Sequence, residues 1–170
     1  MLKLFTCLFL IAAGGGIGIA VSGKYHSRVR QLEKCDQLLS RLQTYLTGEK
    51  LTTREIFERL SQSDTLSELA FVGQTADALR TNVDFPSVWR ECLTLNRGEL
   101  ALTGEDYPPL LALSEVIGAY DAKAQSDAIG ISRELLRENE RQAREQSRTS
   151  GKLSRSLGLL GGIALAILVI

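Results

Sequence analysis

The residues of this chain that could do chemistry are few, and each set stops short of a working arrangement. Gly18-Ile19-Ala20-Val21-Ser22-Gly23-Lys24 matches the G-x-x-x-x-G-K of a loop whose backbone N–H groups cradle phosphates, but Tyr25 stands where the Mg²⁺-binding Ser or Thr belongs. Gly14, Gly15, Gly16 and Gly18 follow an apolar lead-in, as in a dinucleotide turn, yet no register gives a full G-x-G-x-x-G. Cys7, Cys35 and Cys92 are far apart and make no C-x-x-C, which indicates reduced thiols in a cytosolic domain rather than a zinc site or a disulfide framework. His26, the only histidine, lies beside the first apolar segment, where neither a metal cage nor a Ser/His/Asp triad is expected. Glu105, Asp106, Glu115 and Asp121 lie close in sequence, as paired general acids and bases must in space, but capping and helix-face roles account for them. The sequence therefore predicts a protein that is not an enzyme, with no catalytic residues, metal site, cofactor or small-molecule substrate. With 20 Lys and Arg against 20 Asp and Glu it offers no electrostatic case for nucleic acid either.

What positions these residues begins with two apolar blocks. Leu4 to Val21 and Leu157 to Ile170 contain no charged residue. As helices they would span about 27 Å and about 21 Å, against a hydrocarbon core of roughly 30 Å. Lys24, Arg28, Arg30 and Lys34 follow the first block, and Arg141, Arg144, Arg148, Lys152 and Arg155 precede the second. By the positive-inside rule both ends place the middle of the chain in the cytoplasm. The expected organisation is an N-terminal transmembrane helix over 1–23, a cytoplasmic helical domain with a membrane-proximal stalk over 24–152, and a C-terminal transmembrane helix over 153–170. Gly14 and Gly18, and Gly158 and Gly162, form two G-x-x-x-G spacings through which the two legs are expected to pack. The alternative is a secreted or surface helical protein, with Lys3 as the n-region of a cleaved signal peptide and Ala20-Val21-Ser22 as its cleavage site.

Between the blocks the periodicity is helical throughout, which makes the fold class all-α, a bundle of about six helices. Val29, Leu32, Cys35, Leu39, Leu42 and Leu46 form one face of a helix that continues the first apolar block and ends at Gly48. Thr52 and Glu55 make a capping box ahead of Ile56 and Leu60. Asp64 is placed to cap a helix carrying Leu66, Leu69, Val72, Ala76 and Leu79, and Pro86 to open one that buries Val88, Trp89, Cys92 and Leu93. Thr103, Asp106 and Pro108-Pro109 announce a helix with Leu110, Leu111, Leu113, Val116 and Ile117, ended or kinked by Gly118. The last helix starts near Asp121, with Ala124, Ala128, Ile131 and Leu135 as its apolar stripe, helped by Ile129 and Leu136. From Glu49 to Asp127 acidic residues number 14 and basic ones 7, whereas the membrane-proximal helices carry a basic excess. A basic end suits anionic membrane lipids and an acidic distal end suits a basic protein partner.

Three stretches carry a family resemblance that covers essentially the whole chain. Met1-Leu2-Lys3-Leu4, the first apolar block and then Tyr25, Arg28 and Arg30-Gln31-Leu32 look like a Y-x-x-R-x-R-Q-L opening. Ser87-Val88-Trp89, and Gly118, Asp121 and Gln125, are placed as in L-G-x-S-D-x-x-x-Q, with Tyr120 in place of the serine. Gly151-Lys152, then Arg155-Ser156-Leu157-Gly158-Leu159-Leu160-Gly161-Gly162, is similar to a G-K-x-x-R-x-L-G-x-L-G-G close. Together they resemble the stage III sporulation protein AB family of endospore-forming bacteria; the proline expected near Leu51-Thr52-Thr53 is missing. The resemblance implies a soluble helical domain similar to the cytoplasmic domain of the type II secretion inner-membrane F protein. It implies a place in the mother-cell membrane around the forespore, in the channel complex between the two cells, with the soluble domain in the mother-cell cytoplasm. The implied partners are a secretion-type ATPase of the same complex and other membrane subunits of the channel. On that reading Glu105, Asp106 and Asp121 are the candidate partner-facing residues.

Overall fold

A computed structural model describes the backbone of residues 2–49 and 51–169, and the side chains of residues 16, 20, 22–49, 51–150, 153, 156, 157, 160, 161 and 164. Among the described residues every regular element is helical, and no strand occurs. The elements are α1 (Leu2–Gly48), α2 (Thr53–Ser61), α3 (Ala70–Ala78), α4 (Phe85–Leu95), α5 (Tyr107–Leu111), α6 (Leu113–Val116) and α7 (Ala122–Val169), with 3₁₀ turns at Asp64–Leu66 and Gly104–Asp106. They divide into two units, residues 30–140 and residues 1–29 with 141–170. Both divisions fall inside the 24–152 segment that the sequence treats as one domain.

In the 30–140 unit the expected face of α1 is buried: Leu32, Cys35, Leu39 and Leu42 have no exposed surface, and Leu38 joins them. The Thr52 box forms as expected, with Thr52 N donating to Glu55 Oε2 at 2.8 Å and Glu55 N to Thr52 Oγ1 at 3.3 Å. Behind it Ile56, Phe57 and Leu60 turn inward. Trp89 is the centre of an aromatic cluster, its ring 5.5 Å from those of Phe57 and Phe71 and 5.7 Å from that of Phe85.

Three expectations are corrected. Asp64 caps no α-helix. Its carbonyl accepts from both the amide and the hydroxyl of Ser67, which closes a 3₁₀ turn, and α3 begins only at Ala70. The buried stripe Leu66, Leu69, Val72, Ala76 and Leu79 nevertheless holds. The helix announced by Thr103 is broken at Ala112 into α5 and α6. Trp89 Nε1 donates to the Leu110 carbonyl and Ser114 Oγ to the Leu111 carbonyl, each at 2.7 Å, so side chains take two acceptors that a continuous helix would give to its own amides. Leu111 is left exposed, and Gly118 ends the segment at φ +83°, a left-handed conformation suited to glycine. On α7 the buried face is Gln125, Ile129, Ser132 and Leu136, while Ala124, Ile131 and Leu135 are exposed.

Among the described residues no helix is long and apolar enough to cross a membrane. The apolar blocks Leu4–Val21 and Leu157–Ile170, and the glycine pairs Gly14 and Gly18, and Gly158 and Gly162, fall almost wholly outside the residues whose side chains are described. In the unit of 1–29 with 141–170, Arg28 Nη1 donates to Gln146 Oε1 at 3.1 Å. His26 Nδ1 lies 3.0 Å from the Ser22 carbonyl and 3.3 Å from Ser147 Oγ.

Candidate functional site

The candidate partner-facing acids do not share one fate. Asp106 is fully buried: its Oδ2 accepts from Thr103 N at 2.7 Å and from Thr103 Oγ1 at 3.0 Å, which completes a capping box at the Gly104 turn. A carboxylate spent in this way presents nothing to a partner, so Asp106 is a structural residue. Glu105 is exposed, and its backbone carbonyl accepts from Asn139 Nδ2 of α7 at 2.9 Å. Asp121 is exposed too; its Oδ1 accepts from Ala124 N at 2.8 Å and caps α7.

Concavities lie on the described surface around α4. A groove of about 390 Å³ between α3 and α4 is lined by Gln74, Ala78, Val88, Glu91, Cys92, Leu95, Asn96 and Glu99. Its polar floor is internally satisfied, because Asn96 Nδ2 donates to Gln74 Oε1 at 2.6 Å and to the Cys92 carbonyl at 2.8 Å. What remains available to a ligand is the apolar wall, with Leu95 71% exposed, and the carboxylates of Glu91 and Glu99. A second groove of about 250 Å³ has Leu93, Thr94, Arg97, Tyr107 and Leu111 among its lining residues. Arg97 is spent there, its guanidinium 4.8 Å from the Tyr107 ring centroid.

Charge partnering is asymmetric across the 30–140 unit. Most of the described cations are held by neighbours: Arg30 and Lys34 by Glu68, Arg59 by Glu49, Arg41 by the hydroxyl of Ser63, and Arg90 by that of Ser114; Lys123 makes no ion pair among the described residues. Arg133 and Arg137 converge on Asp36, with Arg133 Nε 2.9 Å and Arg137 Nε 3.2 Å from Oδ1. Burial opposes ionisation of Asp36, but the hydrogen bonds and charges of the two arginines outweigh it and hold the carboxyl below its usual range. In contrast, Glu91, Glu99, Glu105, Glu115 and Asp121 are exposed and make no ion pair among the described residues. The outward field of this region is therefore negative.

The groups that could serve as nucleophiles are not prepared for it. Burial pushes the Cys35 thiol up to about 12, and the nearby Asp106 charge adds to the effect. Burial also raises Cys92, against a hydrogen bond with Thr75. Among the described residues no three His, Cys, Asp or Glu side chains are grouped to hold a metal ion. The arrangement can offer apolar surface and negative charge to another macromolecule.

Comparisons with known proteins agree with the helical fold. A family profile described as stage III sporulation protein AB matches residues 3–170. Stage III sporulation protein AB of Bacillus subtilis (strain 168) is 25% identical over 176 residues, covering 99% of each chain. A solved structure of a stage III sporulation protein AB shares the fold at a TM-score of 0.55 and 21% identity, over 71% of this chain and 96% of that one.

Proposed function

The chain belongs to the stage III sporulation protein AB family, and from that premise we propose that it is a non-enzymatic membrane component of the channel between mother cell and forespore. Its role in sporulation follows from the family. In the finer reading, the 30–140 unit couples a cytoplasmic secretion-type ATPase to membrane subunits of the channel. Leu4–Val21 and Leu157–Ile170 are the legs of a hairpin in the mother-cell membrane, in contact with lipid and packed on each other through Gly14, Gly18, Gly158 and Gly162. The support for the legs is their hydropathy and the basic residues that flank them on the domain side.

The observation that carries the coupling reading is the set of exposed acids without ion pairs among the described residues, Glu105 and Asp121 included, on a unit most of whose described cations are held by neighbours. A motor that meets this surface presents Lys or Arg to it. The test is Glu105→Lys with Asp121→Lys in the full chain, followed by pull-down of the ATPase at low salt and again at higher salt. The expected result is loss of binding at both; retention at both would sink the assignment. Asp106→Lys has no place in this experiment, because it would replace a buried carboxylate that accepts from Thr103 with an ammonium that cannot accept there.

A further inference from the structure

Sequence periodicity assigns one face of α7 to the core, and the fold leaves that face in water. Ala124, Ala128, Ile131 and Leu135 recur at steps of four, three and four residues, so they form one stripe along the helix. Ile131 is 63% exposed and Leu135 52%, Ala124 is exposed and Ala128 half-buried. The helix already buries an adjacent face through Gln125, Ile129, Ser132 and Leu136. The outer flank of the stripe is acidic: Asp127 and Glu134, four residues before and three after Ile131, are exposed and make no hydrogen bond or ion pair through their carboxylates among the described residues. The arginines nearest in sequence, Arg133 and Arg137, are held by Asp36, and exposed Lys123, four residues before Asp127 on the same flank, makes no ion pair among the described residues.

We propose that this stripe docks an amphipathic helix of another protein, whose own apolar ridge at three- and four-residue spacing is flanked by Lys or Arg. The spacing supplies the register and the two alanines leave room for larger side chains opposite them. The flank sets the sign of the partner. A second copy of α7 fits poorly: antiparallel pairing along the stripe sets Asp127 of one chain against Glu134 of the other, and parallel pairing sets Asp127 against Ser132, which is 5% exposed. The inference rests on α7 alone and is independent of which protein binds Glu105 and Asp121.

The test uses the full chain in nanodiscs of zwitterionic lipid and a fluorescent synthetic helix of about 21 residues, three heptads, with Leu at the seam positions and Lys on both flanks. A peptide of the same composition with its periodicity scrambled is the control, and empty nanodiscs set the background. Wild type is expected to bind the patterned helix about tenfold more tightly than the scrambled one. Ile131→Gln with Leu135→Gln removes that preference, and Asp127→Lys with Glu134→Lys weakens binding by a similar factor. All four positions are exposed, so the variants keep the thermal unfolding of the parent. Equal affinity for the two peptides, or an unaffected Ile131→Gln, Leu135→Gln variant, overturns the proposal. So does a wild-type dimer that the same variant dissociates, which would make a second copy the occupant.

Discussion

Asp36 is the residue whose removal tests most about how this unit is held together. Its carboxylate on α1 receives Arg133 from α7 through Nε at 2.9 Å and Nη2 at 3.4 Å, a two-point contact between residues 97 apart in the chain. Both side chains are 19% exposed. Breaking a fully buried pair from one side costs about 3–5 kcal/mol, and an exposed pair contributes about 0–1 kcal/mol. One-fifth exposure lies between these limits, and Gln43 Oε1 still accepts from Arg133 Nη1 at 3.0 Å, so that the guanidinium is not left bare. Asp36→Asn is therefore expected to cost about 2 kcal/mol, or about 8 °C in Tm for a unit of this size. Arg137 is 56% exposed, and Arg137→Ala should cost about 0.5 kcal/mol. Because the folded Asp36 carboxyl is held below its usual range, its stabilisation is fully present above the unfolded value of about 4 and is lost as pH falls through the folded one. The gap between wild type and Asp36→Asn should thus be constant from pH 8 to pH 5 and contract below about pH 4. Thermal unfolding of the full chain in detergent, followed by the emission of Trp89, the one tryptophan, measures both. A gap under about 2 °C at pH 7, or one that does not contract in acid, would refute the reasoning.

Two further outcomes follow from the core. Trp89→Phe removes the indole donor from the Leu110 carbonyl and leaves a small void beside Phe57 and Phe71; it should cost about 3 kcal/mol in a urea titration followed by circular dichroism, and a loss below about 0.5 kcal/mol would mean that this bond does not hold the α4–α5 corner together. The cysteines should react in order of burial: maleimide at pH 7, with peptide mapping, labels Cys92 at the groove before Cys35, whose thiol is pushed up to about 12. Labelling of native Cys35 as fast as Cys92 would contradict the packing of α1.

The sequence was most legible where structure is decided within one turn of helix. Thr52 with Glu55 and Thr103 with Asp106 both form capping boxes, Pro86 opens α4, and α1 runs unbroken from the first apolar block to Gly48. What periodicity could not show is what packing does with those turns. Asp106 was readable as a cap but not as a buried one, since its burial is set by neighbours far along the chain. The break at Ala112 depends on Trp89, 21 residues before the Leu110 carbonyl that it engages. On α7 the more apolar residues, Ile131 and Leu135, lose the core to a face that includes Gln125 and Ser132. That face is one residue, or about 100°, away. Gln125 belongs there because it bridges the bend ahead of α7, donating to the Tyr120 carbonyl and accepting from Gly118 N. A count of apolar residues ranks the two faces in the wrong order, because the inner one is selected partly by hydrogen bonding.

That inversion bears on function. A helix that buries Gln125 and Ser132 beside Ile129 and Leu136 while leaving Ile131 and Leu135 in water does not maximise its own stability, and exposed paired aliphatics are a liability unless something covers them. The same holds for the acids. The unit has enough arginine to neutralise part of its carboxylate surface, yet Arg41, Arg90 and Arg97 are held by hydroxyls or a tyrosine ring, while Glu91, Glu99, Glu105 and Glu115 make no ion pair among the described residues. Both features leave surface unspent within the chain, one apolar and one negative, and both are what a basic protein partner would use. Long-range attraction from the acids would speed encounter and weaken with salt. Burial of the α7 stripe would then set how slowly the partner leaves, a contribution that salt does not screen. Were one partner to use both surfaces, it would be held by two terms of different physical origin, and high salt should lower its association rate far more than it raises its dissociation rate.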